Sequence, residues 1–418
     1  MATTERVLGI NGLGRIGKLS LWHHAARGHF SRIVVNVGRQ VGRGLEAVCA
    51  VIERDSTYGS MHRFLFGVNA QSCVRIVDRS RNLLEVAGVP VTILQSARNP
   101  RDIGWRDHAV RLVVDATGAF DDPAREVDHP KGSLRGHLAC GAEVVLYSAA
   151  FKIAGDAPSA PNDAITLIYG CNHELFDPGC HRLVSAASCT TTALAHMVKP
   201  LLDQLDGSTV MTASMSTVHA VTNSQSLLDT VPKAGARDLR RSRSALNGIV
   251  LTSSNAAEAL EQVVPEIRGI GFMADAVRIP VPTESLIILN VTFQSRVRPD
   301  GSSSVDRRLI NRLYEDAAAG GQRGLLVYSD EQNVPADVVG MRAAVVIEGV
   351  ETHTRTGFVD LDLAGVPDLA PESLRGLTDA RLRIPVTHAK VFGWYDNEYG
   401  SYTNLLGDLT AHVDRTLG

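Results

Sequence analysis

The chain has 418 residues, of which 44% are hydrophobic and 21% charged, and its formal net charge is −3. These proportions exclude a disordered chain, and no apolar run is long enough for a transmembrane helix. The even charge balance argues against nucleic-acid binding, which depends on clustered positive charge. The length exceeds what one hydrophobic core usually supports, so we expect two domains. The polar first residues lead straight into a predicted strand, so we expect no signal peptide.

The first half of the chain alternates apolar runs with helical patterns. Short strands are predicted at 6–10, 32–36, 111–115 and 143–147, and helices at 18–28 and 45–54. Strands that alternate with helices are typical of a parallel, doubly wound sheet. The first half therefore predicts an α/β domain.

The pattern of predicted helices and strands changes after about Ser188. A helix is predicted at 190–205, strands at 210–218 and 286–293, and loops at 297–305 and 367–376. Longer strands with helices on one side are typical of a separate α+β domain. We therefore predict a second domain with a mixed or antiparallel sheet.

A GxGxxG turn lies between the first predicted strand and the first helix, with its glycines at Gly12, Gly14 and Gly17. In this context the glycines allow a tight turn, close approach to a pyrophosphate and close packing of helix and strand. The N–H groups at the start of the helix favour phosphate. The turn therefore predicts a dinucleotide site.

The second strand ends without the acidic residue that usually binds the ribose of NAD. Its end contains Asn36, Val37 and Arg39, and no carboxylate occurs between residues 28 and 45, whereas Arg32 and Arg43 lie nearby. Without the acid a 2′-phosphate is not repelled, and an arginine could pair with it. We therefore predict relaxed cofactor choice or a preference for NADP; the alternative is that these arginines are merely solvated.

Cys189 lies among small polar residues at the start of a predicted helix, flanked by Ser188 and Thr190. The dipole of that helix is expected to lower the pKa of the thiol and favour the thiolate. His219 ends an apolar strand and is a candidate base, although a single histidine there is more often structural. With a dinucleotide turn, the pair suggests thiolate attack on an aldehyde, hydride transfer and a thioester.

Four further residues contain the ligand types that zinc prefers, namely Cys171, His173, Cys180 and His181. Their spacing matches no standard zinc pattern, so we expect no metal. The chain has six cysteines and no CxxC pair, which favours free thiols and a cytoplasmic protein.

Taken together, these residues resemble the phosphorylating glyceraldehyde-3-phosphate dehydrogenase family. The matching motifs follow the family order over nearly the whole chain: NGLGRIG at 11–17, RDSTYG at 54–59, ATG at 116–118, SCTT at 188–191, TVHAVT at 217–222, DLRRSR at 238–243, VRIP at 277–280 and WYDNEYG at 394–400. The resemblance implies a Rossmann dinucleotide-binding domain at 1–188, completed by a C-terminal helix at about 398–418. It implies a catalytic domain at 189–397, and we place an insertion around 330–390.

The resemblance also implies roles for individual residues. Cys189 is then the nucleophile and His219 its general base and acid. Two further sets follow from it. The substrate and phosphate set is Ser188, Thr190, Thr222, Ser224, Arg243, Ser254, Asn255 and Arg278. The cofactor set is Gly12, Gly14, Arg15, Ile16, Gly17, Asn36, Val37, Arg39, Thr117, Gly118, Ser148 and Asn397.

Three positions depart from the family pattern. Val37 stands where the family usually has the ribose-binding Asp, Asn255 stands at a usual Gly, and Leu251 replaces a common Pro. The last two changes leave the acceptor of the acyl group open. The implied activity is oxidation of glyceraldehyde 3-phosphate with NAD or NADP and inorganic phosphate, in a cytoplasmic homotetramer. Alternatives are the same chemistry on erythrose 4-phosphate or with arsenate, and a catalytically silent binding or regulatory paralogue.

Overall fold

Two large β-sheets organise the described part of the chain: the first contributes to two hydrophobic cores and the second to a third. The structure is a computed structural model that describes residues 5–95, 97–153, 160–205, 209–222, 225–232, 234–236, 238–363 and 381–418. Among these residues, no helix is both long and apolar enough to cross a membrane.

In the described residues, the first half of the chain forms a nine-stranded sheet, a two-stranded ribbon of β3 and β4, and four α-helices. Its elements, in chain order, are β1 (Val7–Asn11), α1 (Arg15–Arg27), β2 (Arg32–Asn36), α2 (Leu45–Glu53), β3 (Arg54–Asp55), β4 (Gly59–Ser60), α3 (Met61–Phe66), β5 (Val74–Asp78), β6 (Leu83–Val86), β7 (Val89–Leu94), β8 (Leu112–Asp115), α4 (Arg135–Ala139), β9 (Val144–Tyr147), β10 (Ala164–Thr166) and β11 (Leu183–Ser185).

The first sheet has the strand order β10-β11-β9-β8-β1-β2-β7-β6-β5. All pairs from β10 to β7 are parallel, whereas β7, β6 and β5 form an antiparallel meander. The order reverses at β1, and ligands of such sheets bind outside the carboxyl ends of the strands at this point. The turn with the three glycines directly follows β1 and lies at this place.

The antiparallel meander is absent from the sequence prediction. Its strands β6 and β7 are joined by Ala87 and Gly88, whose φ angles are 50° and 84°. Two positive φ angles are typical of the tight type I′ hairpin turn, which usually contains Asn-Gly or Asp-Gly. Because Ala is uncommon at the first of these positions, the usual hairpin signal is missing from the sequence.

The second half of the chain contributes the other sheet and five helices. Its elements are α5 (Cys189–Gln204), β12 (Thr209–His219), β13 (Val250–Ser253), α6 (Ala256–Val263), β14 (Met273–Arg278), β15 (Ser285–Gln294), α7 (Arg307–Ala319), β16 (Leu326–Ser329), α8 (Pro335–Val338), β17 (Val345–Glu348), β18 (His353–Asp362), β19 (Arg381–Tyr395) and α9 (Asn404–Leu417).

The second sheet is mixed and has the order β13-β14-β12-β15-β19-β17-β16, with β18 paired to β19. Only the pairs β12–β14 and β16–β17 are parallel. Residues of α5, α6 and α7, among them Leu194, Leu260 and Ile310, share a buried core with this sheet. The predicted fold class, a Rossmann domain followed by an α+β domain with a mixed sheet, is confirmed.

Helix α9 returns to the first sheet. Its residues Leu406, Leu409 and Val413 belong to the core that contains β1 and β2. Arg27 of α1 donates to Asn404 Oδ1 over 2.8 Å and pairs with Asp408 over 2.9 Å. The segment between β19 and α9 therefore runs from the second sheet to the first.

Strands β18 and β19 form a long antiparallel hairpin within the region where an insertion is predicted. Their register runs from His353 opposite Lys390 to Asp362 opposite Arg381. The loop predicted at 367–376 lies outside the described residues.

Candidate functional site

The turn after β1 is shaped to receive a phosphate. Gly12 has φ +98°, and a Cβ at Gly17 would collide with the carbonyl oxygen of Gly12, whereas Gly14 faces open space. Helix α1 begins at Arg15 with no side-chain cap and no acidic residue in its first turn. Free N–H groups and the positive end of the helix dipole favour an anion, so these residues fit the pyrophosphate of a dinucleotide.

The end of β2, where ribose binding is predicted, is followed by Val37, and no acidic residue occurs from there to residue 45. Val37 is half-buried and its N–H donates to the Leu94 carbonyl over 2.8 Å. Asn36 is buried and donates to Asn11 Oδ1 over 2.8 Å, whereas Arg39 is exposed. Arg98, which the sequence analysis missed, donates from Nε to the Gly38 carbonyl over 3.3 Å. Arg39 therefore follows this strand end and Arg98 is bonded to it, and the segment 28–45 contains no carboxylate.

Thr117 and Gly118 follow β8, the other neighbour of β1. The Thr117 hydroxyl donates to Asp115 Oδ1 over 2.6 Å, and Gly118 has φ +66° with open space around it. Because β1, β2 and β8 are parallel neighbours, their carboxyl ends place these residues and the glycine turn at one edge of the sheet.

A cavity of about 790 Å³ extends from the first turn of α1 to the start of α5. Twelve of the predicted site residues line it: Arg15, Ile16, Ser148, Ser188, Cys189, Thr190, His219, Thr222, Ser254, Asn255, Arg278 and Asn397. Ser224 lies outside the described residues. The remaining predicted residues lie elsewhere: the glycines and adenosine-side residues belong to the turns described above, and Arg243 lies on the surface.

Cys189 is the first residue of α5 and faces His219, the last residue of β12. The Sγ atom lies 3.6 Å from His219 Nε2. Ser188 caps the helix, since its Oγ accepts a hydrogen bond from Thr191 N over 3.1 Å. His219 Nδ1 lies 2.7 Å from the Ala220 carbonyl oxygen, so a proton on Nδ1 donates there and leaves Nε2 free to accept. The geometry is that of a thiol and its general base.

Burial decides the protonation of this pair in the resting site. Burial raises the pKa of the Cys189 thiol, and the positive charge of Arg278 only partly offsets this. Burial and then the charge of Arg278 lower the pKa of His219 to about 3. The expectation of a lowered thiol pKa at the start of α5 is therefore wrong for this site, because burial of the sulfur is the largest effect and raises the pKa. The resting pair is a neutral thiol and a neutral imidazole.

Strand register brings Arg278 beside His219. Strands β12 and β14 are parallel, and His219 and Arg278 are paired at their carboxyl ends. Arg278 donates to the Ala220 carbonyl over 3.1 Å and also contacts His219 Nδ1. A half-buried guanidinium on the cavity wall is suited to a phosphate or carboxylate of a substrate.

Arg241 is the arginine of the 238–243 motif whose charge acts on Arg278, although its side chain does not line the cavity. The motif contains a 3₁₀ turn, Leu239–Ser242, in which residues three apart lie on the same side. Arg240 and Arg243 accordingly pair outward with Asp238 and Asp229. Arg241 lies 3.9 Å from Asp238 and donates to Thr252 Oγ1 of β13 over 3.4 Å. Burial, and more weakly the charge of Arg241, lower the pKa of Arg278.

Asn397 is buried next to His219, just beyond the end of β19. Its Nδ2 donates to Ser285 Oγ over 2.7 Å and lies 3.1 Å from His219 Nε2. Ser285 Oγ also accepts from the Ala220 N–H over 3.0 Å. Ser285, another residue the sequence analysis missed, therefore joins the amide to the histidine loop; its position opposite Tyr395 in the strand register was not visible in the sequence.

The hydroxyl groups of Thr190 and Thr217 are 2.9 and 2.8 Å from Tyr395 Oη, a further residue missed from sequence. This buried tyrosine ties the first turn of α5 to strands β12 and β19. It therefore fixes the cysteine relative to the second sheet.

Ser254 and Asn255 enter the cavity from the start of α6. Asn255 occupies the N-cap position with φ −88° but makes no side-chain cap bond, and Ser254 Oγ accepts from Ala256 N over 3.2 Å. Leu251, on β13, is exposed. The side chain of Asn255 thus lies where the N–H groups of α6 open to the cavity.

Among the described residues, no group of three or more His, Cys, Asp or Glu side chains could hold a metal ion. In the cluster considered above, His181 Nδ1 accepts from the Asp177 N–H over 2.9 Å and His173 Nδ1 from the Gly170 N–H over 3.1 Å. Backbone contacts therefore account for both imidazoles.

Comparison with known proteins agrees with this geometry. Residues 6–123 match the family model described as glyceraldehyde 3-phosphate dehydrogenase, NAD binding domain, and residues 188–361 match the C-terminal domain of the same enzyme. A relative named glyceraldehyde-3-phosphate dehydrogenase from Streptomyces coelicolor is 31% identical over 411 residues, 98% of this chain and 99% of the relative. Glyceraldehyde-3-phosphate dehydrogenase 1 of Streptomyces avermitilis is 33% identical over 99% of this chain and its own full length. Glyceraldehyde-3-phosphate dehydrogenase of Mycobacterium bovis is 32% identical with the same coverage. The chain therefore belongs to the glyceraldehyde-3-phosphate dehydrogenase family of oxidoreductases.

Proposed function

We propose that this protein oxidises glyceraldehyde 3-phosphate to 1,3-bisphosphoglycerate, using NAD or NADP and inorganic phosphate. The observation that carries the proposal is the pair of Cys189 and His219, 3.6 Å apart on the wall of a cavity that also reaches Arg15 and Ile16. A thiol nucleophile, its base and a dinucleotide turn around one cavity are suited to aldehyde oxidation. The relatives named above carry the same activity in their names.

The first chemical step makes a covalent bond to the enzyme. His219 Nε2 accepts the thiol proton, and Cys189 Sγ forms a bond to the aldehyde carbon. The proton passes to the former carbonyl oxygen, which completes a hemithioacetal. Arg278 and Thr222 are placed to bind the phosphate of the substrate, and the N–H groups that begin α5 stabilise the developing oxyanion.

Oxidation leaves a thioester on Cys189. His219 removes the hydroxyl proton of the hemithioacetal while the carbon loses a hydride. The dinucleotide, when bound, supplies the hydride acceptor; the turn at Gly12–Gly17 would hold its pyrophosphate and Asn397 its nicotinamide amide. The protein must keep water away from the thioester, and the burial of His219 and Asn397 serves this purpose.

Inorganic phosphate then releases the product. A phosphate oxygen attacks the thioester carbon, the carbon–sulfur bond breaks, and the thiolate recovers its proton from His219. Thr190, Ser254 and the start of α6 are placed to bind the attacking phosphate, with Asn255 beside them. We propose that Arg241, rather than Arg243, adds positive charge on this side of the cavity.

Steady-state assays with glyceraldehyde 3-phosphate, with and without phosphate, test the proposal. Turnover that requires phosphate and yields an acyl phosphate is the expected result. Cys189→Ser should abolish it while cofactor binding persists, and the exposed Cys180→Ser is the control that keeps full activity. Substantial activity of Cys189→Ser would refute the assignment, and faster turnover of erythrose 4-phosphate or with arsenate would correct the substrate or acceptor.

We further propose that NADP is accepted at least as well as NAD. The support is the half-buried Val37 at the end of β2, followed by the exposed Arg39, with Arg98 bonded to the Gly38 carbonyl. These cations favour a 2′-phosphate that an acid at position 37 would repel. Comparison of kcat/KM for the two cofactors is the test, and a large preference for NAD would contradict the proposal.

We also propose a division into two domains and a homotetrameric assembly. The cofactor domain would comprise 1–188 with 398–418, and the catalytic domain 189–397 with an insertion around 330–390. The return of α9 to the core around β1 supports the first part. The six free cysteines suit a cytoplasmic protein. The homotetramer follows from the family resemblance alone, and size-exclusion chromatography with light scattering measures the subunit count.

A further inference from the structure

The 54–59 motif has no role in the chemistry described above, although it is among the most recognisable pieces of the sequence. It folds as the two-stranded ribbon of β3 and β4, between α2 and α3. The side chain of Asp55 is fully buried, and its Oδ1 accepts hydrogen bonds from the N–H groups of Thr57 (2.8 Å) and Tyr58 (3.1 Å). The carboxylate thereby fixes a tight turn that directs Tyr58 inward.

Asp55 is also bonded to the first turn of α1. Arg15 Nη1 lies 3.0 Å from both of its carboxylate oxygens, and Lys18 Nζ lies 2.7 Å from Oδ2. Arg15 follows Gly14 of the phosphate-binding turn directly. The motif is therefore joined to the turn that would hold the pyrophosphate.

The same motif is joined to the residues on either side of Asn397. The Tyr58 hydroxyl donates to Asp396 Oδ1 over 2.6 Å and accepts from the Tyr399 N–H over 3.1 Å. Glu398 accepts from Arg15 Nε over 2.8 Å. We call this set the Asp55–Tyr58 bracket; it consists of Arg15, Asp55, Tyr58, Asp396 and Glu398.

The bracket neutralises the side chain of Arg15, which limits what that side chain can do for a bound phosphate. Its guanidinium is held by two carboxylates, and the Tyr58 ring lies 5.7 Å from its Cζ. A guanidinium neutralised on both sides has little charge left for a pyrophosphate. The contact of Arg15 with phosphate therefore falls to its backbone N–H, and its side chain links two parts of the site.

We propose that the Asp55–Tyr58 bracket couples the phosphate-binding turn to Asn397, so that its members are positioning residues for the nicotinamide end of the cofactor. The inference rests on the proposed function, since it assumes dinucleotide binding. The two ends of the cofactor are bound by different segments, residues 12–17 and residue 397. Holding both neighbours of Asn397 against the first turn of α1 means that its amide need not be ordered when the cofactor binds.

The experiment compares NAD with ADP-ribose, which has the pyrophosphate but lacks the nicotinamide. Titration calorimetry gives the affinity of each for the wild type, Tyr58→Phe and Glu398→Gln. Both variants should reduce the advantage of NAD over ADP-ribose by roughly three- to tenfold, the range expected for one lost hydrogen bond. NADP and 2′-phospho-ADP-ribose replace the two ligands if the wild type prefers NADP.

Tyr314→Phe is the matched control. Tyr314 is also buried and donates one hydrogen bond, over 2.8 Å to the Met197 carbonyl, but it lies in α7 away from the cavity. It should lose stability as Tyr58→Phe does and leave the affinity ratio unchanged. A second readout is the stereochemistry of hydride transfer, which a loosely held nicotinamide would relax only in the bracket variants.

The possible outcomes distinguish a failure of the proposed function from a failure of the bracket proposal alone. A wild type that binds neither NAD nor NADP overturns the proposed function and the bracket with it. Dinucleotide binding with an unchanged ratio in both bracket variants overturns the bracket alone. Equal weakening of NAD and ADP-ribose also overturns it, because the effect would then belong to the phosphate-binding turn.

Discussion

Replacement of Glu284 by Gln should stabilise the protein, and increasingly so as the pH rises. Glu284 is 2% exposed, and within the described structure neither of its carboxyl oxygens has a hydrogen-bond partner. Burial, then the charges of Asp396 and Glu398, raises its pKa from an ordinary value of 4.5 to about 9. The folded protein therefore keeps a proton that the unfolded chain releases above pH 4.5.

The sign and size of the effect follow from proton linkage. Between pH 4.5 and pH 9 the folded state binds more protons than the unfolded state, so the free energy of unfolding falls as pH rises. The slope is about 1.4 kcal/mol per pH unit, which amounts to about 3 kcal/mol at pH 7. Gln keeps the size of the side chain and the same strained backbone, φ +67°, and removes only the ionisation.

Urea unfolding of the wild type and Glu284→Gln at a series of pH values measures this difference. The stability gap should widen by about 1.4 kcal/mol per unit between pH 6 and pH 8. The exposed Glu266→Gln serves as control and should follow the wild type. A gap that does not change with pH would show that Glu284 is ionised in the folded protein, and the argument from burial would fail.

Three further predictions concern the cavity. Arg278→Gln should raise KM for glyceraldehyde 3-phosphate roughly tenfold or more and leave KM for unphosphorylated glyceraldehyde unchanged. Loss of the positive charge should also raise the pKa of His219, so the acidic limb of the kcat/KM profile should move to higher pH. An unchanged KM for glyceraldehyde 3-phosphate would show that Arg278 does not bind the phosphate of the substrate. Asn255→Gly should lower KM for inorganic phosphate roughly three- to tenfold, because it exposes the N–H groups of α6. The same KM for phosphate in the variant and the wild type would contradict this. Val37→Asp should lower the NADP/NAD ratio of kcat/KM at least about tenfold by charge repulsion, and a constant ratio would argue against the assigned strand end.

Local sequence patterns predict the parallel part of the fold well. The strand at Arg32–Asn36 has the predicted bounds, because a run of buried β-branched residues between polar ones is compatible with few structures other than a strand. The start of α1 differs: the predicted helix begins at 18, whereas the observed one begins at Arg15. Gly17 is part of the helix as well as of the turn, and a glycine in the first helical turn lacks the pattern of apolar residues.

The site itself depends on contacts that sequence does not encode locally. Cys189 and His219 are identifiable from their neighbours, but the roles proposed for Ser285 and Tyr395 follow from register between strands over a hundred residues apart. The orientation of Arg241 follows from one short 3₁₀ turn, which has no apolar periodicity to indicate it. Tertiary pairing, rather than propensity, places these groups.

The protonation of Cys189 shows how a helix N-terminus and burial act in opposite directions on one thiol. A helix N-terminus stabilises an anion by about 0.3–1 kcal/mol at the surface, and up to about 2 kcal/mol when partly buried. Moving an ionised group out of water can shift its pKa by several units, which is several kcal/mol, so burial determines the state of Cys189. The same burial keeps His219 neutral and therefore able to accept a proton. In the mechanism proposed above, the thiolate would then form by proton transfer over the 3.6 Å between Sγ and Nε2 rather than rest as an anion at the helix end.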